Sequence, residues 1–171
     1  MKTKSRVFIR PPNIGDCDAF LAAVRRSRTL HRPWVAPPDT RKKFAAYAKR
    51  SASDEHRGFL ILRRDSGEIV GVINVGNIVR GLLQGAYVGY YAFAPHDGEG
   101  LMREGMQLVL KHAFQKLKLH RLEANIQPKN RASIRLARNC GFVREGFSRR
   151  YLKVNGRWQD HERWAILAED F

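Results

Sequence analysis

One segment restricts the fold of this chain more than any other. Residues 85–93 form an aromatic and β-branched run, a loop with Gly98-Glu99-Gly100 follows, and residues 101–117 repeat apolar side chains near the helical period. This order predicts a strand, a tight loop and a long helix. Such a loop suits an anion, because glycines let the backbone approach closely and the free N–H groups at a helix start point toward the ligand. A phosphate diester fits that requirement.

The loop by itself leaves a second interpretation open. Gly-x-Gly before a helix is also common in tight connections that bind nothing. The third glycine of the dinucleotide fingerprint is missing, and so is the Gly-Lys-Ser of a P-loop. Asp97 and Glu99 disfavour a phosphate unless their side chains point to solvent.

The rest of the chain alternates between strand and helix patterns, which predicts an α/β (α+β) fold in the order β-α-α-β-β-β-α-β-α-β-β. Further strands are expected at 7–9, 59–62, 69–75, 121–126, 142–147, 151–154 and 157–167, and further helices at 16–27, 40–51 and 130–139. Asp39 or Thr40 can cap the second helix. With 171 residues and 43% apolar residues, the chain fits one domain, placed at 7–171.

The charge is strongly positive. The chain has 32 Lys and Arg against 16 Asp and Glu, a net charge of +16, and such a field concentrates anionic partners. Residues 25–50 hold nine of the basic residues and one acid, Asp39. This run is either a solvated face or a surface that docks on an acidic protein or ribosomal RNA. A basic nucleic-acid-binding module without catalysis remains a rival class, although no RRM, KH, zinc-finger or basic-zipper signature is present.

The sequence also indicates a cellular setting. Cys17 and Cys140 lie far apart without a CxxC pair, so we expect reduced thiols. Residues 1–10 have no apolar run of signal-peptide length, and eighteen consecutive apolar residues occur nowhere. We therefore expect a cytoplasmic protein without a membrane span. The six histidines show no metal-ligand spacing, so no metal is expected.

A second motif, Asn130-Arg131-Ala132-Ser133, opens a helix about thirty residues after the glycine loop. Alone, it reads as an ordinary N-cap. Together, the loop, helix, strand and Asn-x-x-Ser helix resemble the GNAT superfamily of acetyl-CoA-dependent N-acetyltransferases, and within it the RimJ/RimL group, the ribosomal-protein-alanine N-acetyltransferases. The matching stretches are 71–74 with Asn77, 88–91, 98–102, 130–133, 139–146 and 155–160. The resemblance implies a GNAT-like mixed, mostly antiparallel twisted sheet flanked by helices.

The resemblance also implies roles for individual residues. The strand at Tyr91, Ala92 and Phe93 would pair by backbone with the pantetheine arm of acetyl-CoA. Asn130 would hydrogen-bond the pantetheine, and Ser133 would lie near the sulfur. The main-chain N–H groups that would hold the pyrophosphate are those of Gly98, Glu99, Gly100, Leu101, Met102 and Arg103.

The sequence departs from the family pattern at one position of that loop. Pro95 stands where this family usually has Gln or Arg. Because the loop works mainly through backbone donors, we expect this change to weaken binding without abolishing it. The basic residues Arg103, Arg135 and Arg138 are candidates to compensate by reaching phosphates.

The implied reaction is attack of a neutral amine on a thioester, with a thiolate leaving. A peptide α-amine has a pKa near ~7.8 and a lysine one near ~10.4, so deprotonating lysine costs about 3.5 kcal/mol more. An α-amine therefore needs only a weak base. Glu123 could serve through water, or could simply pair with an arginine; Asp160 and His161 are further candidates. Ser133 is the preferred donor to the departing thiolate.

The expected acceptor is a protein N-terminal α-amine, of the ribosomal-protein-alanine type. A small-molecule amine, such as an antibiotic or an amino acid, is the alternative within the same fold. A polycationic acceptor such as a polyamine would be repelled by the net charge of +16.

Overall fold

A computed structural model describes residues 5–171 as a seven-stranded sheet with helices on both faces. The strands are β1 (Val7–Arg10), β2 (His56–Arg63), β3 (Ile69–Val79), β4 (Gly85–Ala92), β5 (Arg121–Ile126), β6 (Val143–Val154) and β7 (Arg157–Leu167). The helices are α1 (Cys17–Arg26), α2 (Arg28–His31), α3 (Arg41–Arg50), α4 (Leu101–Gln115) and α5 (Arg131–Asn139). The predicted mixed, mostly antiparallel sheet is confirmed.

The sheet order is β1-β2-β3-β4-β5-β7-β6, and β4 with β5 is its parallel pair. That pairing covers only Gly85–Tyr87 of β4 against Arg121–Glu123 of β5. Beyond these residues the two strands separate, while the opposite edge of β4 stays paired with β3 as far as Ala92. One edge of β4 is therefore left open toward a gap in the middle of the sheet, and its backbone groups need partners.

Two apolar cores lie on opposite faces of the sheet. Helices α4 and α5 cover one face, where Met106 and Leu110 of α4 pack with Leu122 of β5. Helices α1 and α3 cover the other, where the rings of Phe20 and Phe44 lie 4.8 Å apart between centroids. Residues alternate between these faces along β4, so neighbouring side chains of one strand reach different cores.

Several local details differ from the sequence-based expectations, among them the ends of β2, β3 and β4, which are His56–Arg63, Ile69–Val79 and Gly85–Ala92. Residues 142–147 and 151–154 were expected as two strands, but they form the single strand β6. Between Ser148 and Leu152, β6 uses four residue steps where β7 uses two, so the extra residues bulge out and pairing with the same partner continues. The short helix α2 was not predicted. The long helix ends at Gln115, two residues before the expected Leu117.

Several other boundaries are confirmed. β5 and β7 have the predicted ends, and Gly141, which follows α5, is left-handed with φ 94°. Of the two proposed caps for α3, Thr40 accepts the N–H of Lys43, whereas Asp39 binds the Lys43 ammonium at 2.7 Å.

The described part of the chain starts at Ser5, so the first four residues of the segment searched for a signal peptide lie outside it. Within residues 5–171, no helix is both long enough and apolar enough to span a bilayer.

Candidate active site

A cavity of about 770 Å³ occupies the gap between β4 and β5. It extends from the glycine loop at 96–100 and the start of α5, past the open edge of β4, to α2 and the segment after it. Different residues line the two ends of the cavity. We call them the loop end and the acceptor end, the latter lined by Leu30, His31, Trp34, Val35, Asn74, Gly89, Asn125 and His161.

Backbone donors concentrate at the loop end. Gly98 and Gly100 have φ of 83° and 78°, a left-handed conformation that only glycine adopts without strain. Within residues 5–171, no hydrogen-bond acceptor faces the N–H groups of 98–102. The N–H of Arg103 differs, because it donates to the Gly100 carbonyl at 3.1 Å. Arg103 instead presents its side chain to the cavity. Free donors at a helix start are the arrangement that an anion requires.

One of the two acidic residues of the loop, Glu99, is partly neutralised. The Glu99 carboxylate lies 3.2 Å from Arg63, and the Glu99 carbonyl accepts from Arg6 at 2.9 Å. Nearby, the buried ring of His96 has no hydrogen-bond partner within residues 5–171, and it lies 3.7 Å from carboxylates of Glu68 and Glu99. Because Arg63 and Arg6 lie close to Glu99, its negative charge is partly compensated. The repulsion between Glu99 and a bound anion is therefore smaller.

The three strand residues assigned to the pantetheine arm do not lie together. Tyr91 and Ala92 line the cavity, but Phe93 does not. Its ring is buried against Phe20 of α1 and His31 of α2, and its N–H donates to the Val70 carbonyl at 2.7 Å. The Ala92 carbonyl is also occupied, since His31 Nε2 lies 2.8 Å from it and donates to it. The free hydrogen-bonding edge of β4 is therefore the stretch from Val88 to Tyr91, between the part paired with β5 and the occupied Ala92 carbonyl.

Asn130 and Ser133 lie together at the start of α5, and both line the cavity. Asn130 Oδ1 accepts the Ser133 N–H at 3.2 Å, which leaves the Asn130 amide nitrogen available as a donor. Tyr90 on β4 donates its hydroxyl to the Ser133 carbonyl at 2.9 Å, and burial raises the pKa of Tyr90 above its usual range. The Ser133 hydroxyl has no partner among the described residues. Its backbone is fixed at two points while its hydroxyl stays free.

Glu123 does not line the cavity. Arg121 Nε lies 2.7 Å from its carboxylate, so Glu123 forms an ion pair with an arginine. This pairing was the alternative to a role as the base. Asp160 accepts the Arg150 N–H at 2.8 Å and does not line the cavity either. Of the three candidate bases, His161 alone reaches the cavity.

The acceptor end contains side chains that the sequence did not single out. His31 is 4% exposed, and burial lowers its pKa below the usual value. Trp34 follows α2, Asn74 lies on β3 and Asn125 on β5. Asn74 stood in one of the matching stretches, and Asn125 is a polar residue in a predicted strand, but Trp34 had no signal. These positions are far apart in sequence, so only the fold brings them together.

The match to known proteins agrees with this geometry. Residues 6–143 match the family model described as "Acetyltransferase (GNAT) domain". The chain belongs to this family, and it is an N-acetyltransferase of the GNAT type, the enzymes that use acetyl-CoA. The resemblance noted from the motifs is thereby confirmed.

Individual relatives show which enzymes the chain resembles. It is 33% identical, over 96% of its length and 95% of the relative's, to the "Probable N-acetyltransferase YjcK" of Bacillus subtilis. It is 36% identical to the "[Ribosomal protein uS5]-alanine N-acetyltransferase" of Escherichia coli, over 63% of this chain and 55% of that protein. It is 33% identical to the "Spermidine N(1)-acetyltransferase" of Vibrio cholerae, over 44% of each chain.

Two solved structures of enzymes with CoA bound share the fold of this chain. The structure described as "Mycobacterium smegmatis RimJ in complex with CoA-disulfide" superposes with a TM-score of 0.88 at 28% identity, covering 96% of this chain and 83% of that one. The Vibrio cholerae spermidine N-acetyltransferase "in complex with CoA and spermine" superposes with a TM-score of 0.82 at 23% identity, covering 98% of each chain, which shows a shared fold.

Proposed function

We propose that this enzyme acetylates the N-terminal α-amine of a protein, of the ribosomal-protein-alanine type. The observation that carries this proposal is the charge of the acceptor end. Among the described residues, the side chains that line this end are apolar, aromatic, amide or imidazole groups, without a carboxylate. A pocket of this kind suits a neutral amine on an otherwise uncharged peptide terminus.

A polyamine is the rival acceptor, because one relative is named for spermidine. Binding a polycation in a cavity requires opposite charges nearby, since a desolvated cation without a partner is costly. The acceptor end provides none among residues 5–171, and the net charge of +16 repels such a molecule at long range. Both considerations favour the peptide amine.

The loop end is suited to acetyl-CoA. The free N–H groups of 98–102 would hold the diphosphate, the open edge of β4 at Tyr91 and before it would pair with the pantetheine, and the Asn130 amide nitrogen would donate to that arm. Bound there, acetyl-CoA supplies the thioester. The Ser133 hydroxyl would donate to the sulfur as negative charge develops on it.

The basic residues at 25–50 supply a docking surface for the ribosome, whose protein N-terminus is the proposed acceptor. Arg25, Arg26, Arg28, Arg32, Arg41, Lys42, Lys43, Lys49 and Arg50 are all exposed, and we call them the basic face. Arg41 and Lys43 are paired with Asp18 and Asp39. These residues belong to α1, α2 and α3 and to the segments between them, and the same stretch contributes Leu30, His31, Trp34 and Val35 to the acceptor end. Ribosomal RNA bound to the basic face would therefore place a ribosomal N-terminus close to the cavity.

The direct test compares acceptors of different classes. Purified enzyme is incubated with labelled acetyl-CoA and, separately, with Ala-initiated peptides, the same peptides blocked at the α-amine but carrying lysine, and spermidine. We expect label on the free α-amine, located by mass spectrometry. Label on spermidine or on lysine alone would refute the proposed acceptor.

A further inference from the structure

An unsatisfied acceptor atom lies at the acceptor end of the cavity. Asn125 Oδ1 is buried and has no hydrogen-bond partner within residues 5–171. Leaving a buried polar atom unpaired costs about 1–3 kcal/mol, so native structures rarely tolerate one without a reason. Because Asn125 lines the cavity, a ligand that donates a hydrogen bond would supply the missing partner.

A second acceptor lies on the neighbouring strand. His161 is 3% exposed, and its Nδ1 lies 3.0 Å from the Gln159 carbonyl oxygen. A carbonyl only accepts, so Nδ1 carries the proton of the neutral ring and Nε2 is left as an acceptor. The side chain lines the same cavity.

The sheet brings these two groups onto one face. Asn125 of β5 is directly opposite Arg163 of β7, and His161 is two residues before Arg163, so Asn125 and His161 are diagonal neighbours. Such pairs have Cα atoms about 7–8 Å apart, a span that one small polar group placed between the side chains can bridge. Across the gap stands Gly89, where an added Cβ would meet nothing within 4 Å. The missing side chain leaves the space in front of the pair open.

We propose that Asn125 Oδ1 and His161 Nε2 together bind the acceptor amine, and that His161 is its general base. This inference rests on the proposed function and adds the residues that receive the amine. The amine nitrogen forms a bond to the acetyl carbon, the carbon–sulfur bond breaks, and the sulfur leaves with the electron pair as a thiolate. The proton that the nitrogen loses passes to His161 Nε2.

The surroundings keep this base neutral. Burial is the main reason that the pKa of His161 lies below its usual value, while the Gln159 carbonyl and Asp160 oppose that shift. Tyr151 on β6 contacts the His161 ring, Arg163 lies two residues away on β7, and His31 on α2 and Tyr91 on β4 line the same cavity; β5 contributes the uncharged Asn125. At neutral pH the ring is therefore ready to accept a proton.

Kinetics on an Ala-initiated peptide test the pair. Asn125→Leu removes one acceptor, so KM for the peptide should rise about tenfold. His161→Gln removes the base, so kcat should fall about 10²-fold. The dissociation constant of acetyl-CoA, measured by calorimetry, should stay unchanged in both. His120→Gln, an exposed histidine paired with Glu169, is the control and should behave as wild type.

The pH profile tests the base in the unmodified enzyme. Both the amine and His161 must be neutral, so log kcat/KM should rise with slope 2 below the lowered pKa of His161 and with slope 1 between that pKa and the pKa of the amine. In His161→Gln the slope should be 1 at every pH below the pKa of the amine.

Two results would overturn the proposal: a wild-type slope of 1 at all acidic pH values, or unchanged peptide kinetics in variants that still bind acetyl-CoA. If the wild type acetylates spermidine and no peptide, the proposed function fails separately. The same variants are then assayed on spermidine, where unchanged kinetics would reject the pair as well.

Discussion

Asn130 caps a helix, and we propose that it also contacts the ligand. Its side-chain oxygen caps α5 by accepting the Ser133 N–H, and its amide nitrogen is left available in a residue that lines the cavity. The sequence motif supported both interpretations, the ordinary N-cap and the ligand contact, as if they were alternatives. Because the two roles use different atoms of one side chain, they are compatible.

Two substitutions at Asn130 separate those roles. Asn130→Asp keeps an oxygen for the cap and removes the amide donor, so it should weaken acetyl-CoA binding with little change in Tm. Asn130→Ala removes both, and losing a cap costs about 1 kcal/mol, or roughly 3 °C in Tm for a chain of this size. Calorimetry and thermal melts measure the two effects. Equal acetyl-CoA affinity in Asn130→Asp and wild type would refute the ligand contact.

Ser133→Ala tests the donor to the leaving sulfur. The substitution keeps the two backbone hydrogen bonds at this residue and removes only the free hydroxyl. We expect kcat to fall about 10²-fold with little loss of acetyl-CoA affinity, because a donor at developing charge acts mainly in the transition state. Ser148→Ala, on β6 outside the cavity, is the matched control. Unchanged turnover in Ser133→Ala would refute its role.

At the scale of elements, the separation of β4 and β5 creates the site. Sequence patterns predicted both strands, and the ends of β5 were correct. They did not predict where pairing between the strands stops, because strand pairing depends on contacts distant in sequence. The acceptor end could not be predicted from local sequence either, because Trp34, Asn74 and Asn125 come from three separate segments. The glycine loop and the Asn130 cap were predictable because each has a local backbone requirement.

The role of the glycine loop in binding can be tested by comparing Gly98 with Gly67, a turn glycine of similar φ. Gly98→Ala places a side chain at φ 83° with nothing within 4 Å of the added Cβ, so its cost is conformational. Gly67→Ala, at φ 74° in the β2–β3 turn, has the same open surroundings. Both should lower stability by about 1 kcal/mol, but Gly98→Ala alone should weaken acetyl-CoA binding. Equal acetyl-CoA affinities in the two variants would show that the loop does not contact the ligand.

At the level of the whole molecule, positive charge is concentrated in residues 25–50, the stretch that also contributes Leu30, His31, Trp34 and Val35 to the acceptor end. Local sequence alone could not decide whether nine basic residues form a solvated face or a docking surface. The fold adds that all nine are exposed and that two are paired with carboxylates.

Neutralising part of the basic face tests docking. The triple variant Lys42→Gln, Lys49→Gln, Arg50→Gln should reduce kcat/KM for a ribosome-bound acceptor about tenfold at low salt and leave a short Ala-initiated peptide unaffected. A second triple variant, Lys111→Gln, Lys116→Gln, Lys118→Gln, changes the charge equally on exposed residues near the end of α4 and is the control. Equal losses in both variants would indicate a general charge effect and reject a defined docking face.

We propose that the N–H groups of 98–102 hold the diphosphate of acetyl-CoA while its arm lies along the open edge of β4. Calorimetric titration with CoA, 3′-dephospho-CoA and 4′-phosphopantetheine tests it most directly. We predict similar affinity for the first two, which keep the diphosphate, and about 100-fold weaker binding of the third. Binding of 4′-phosphopantetheine as tight as that of CoA would contradict the claim.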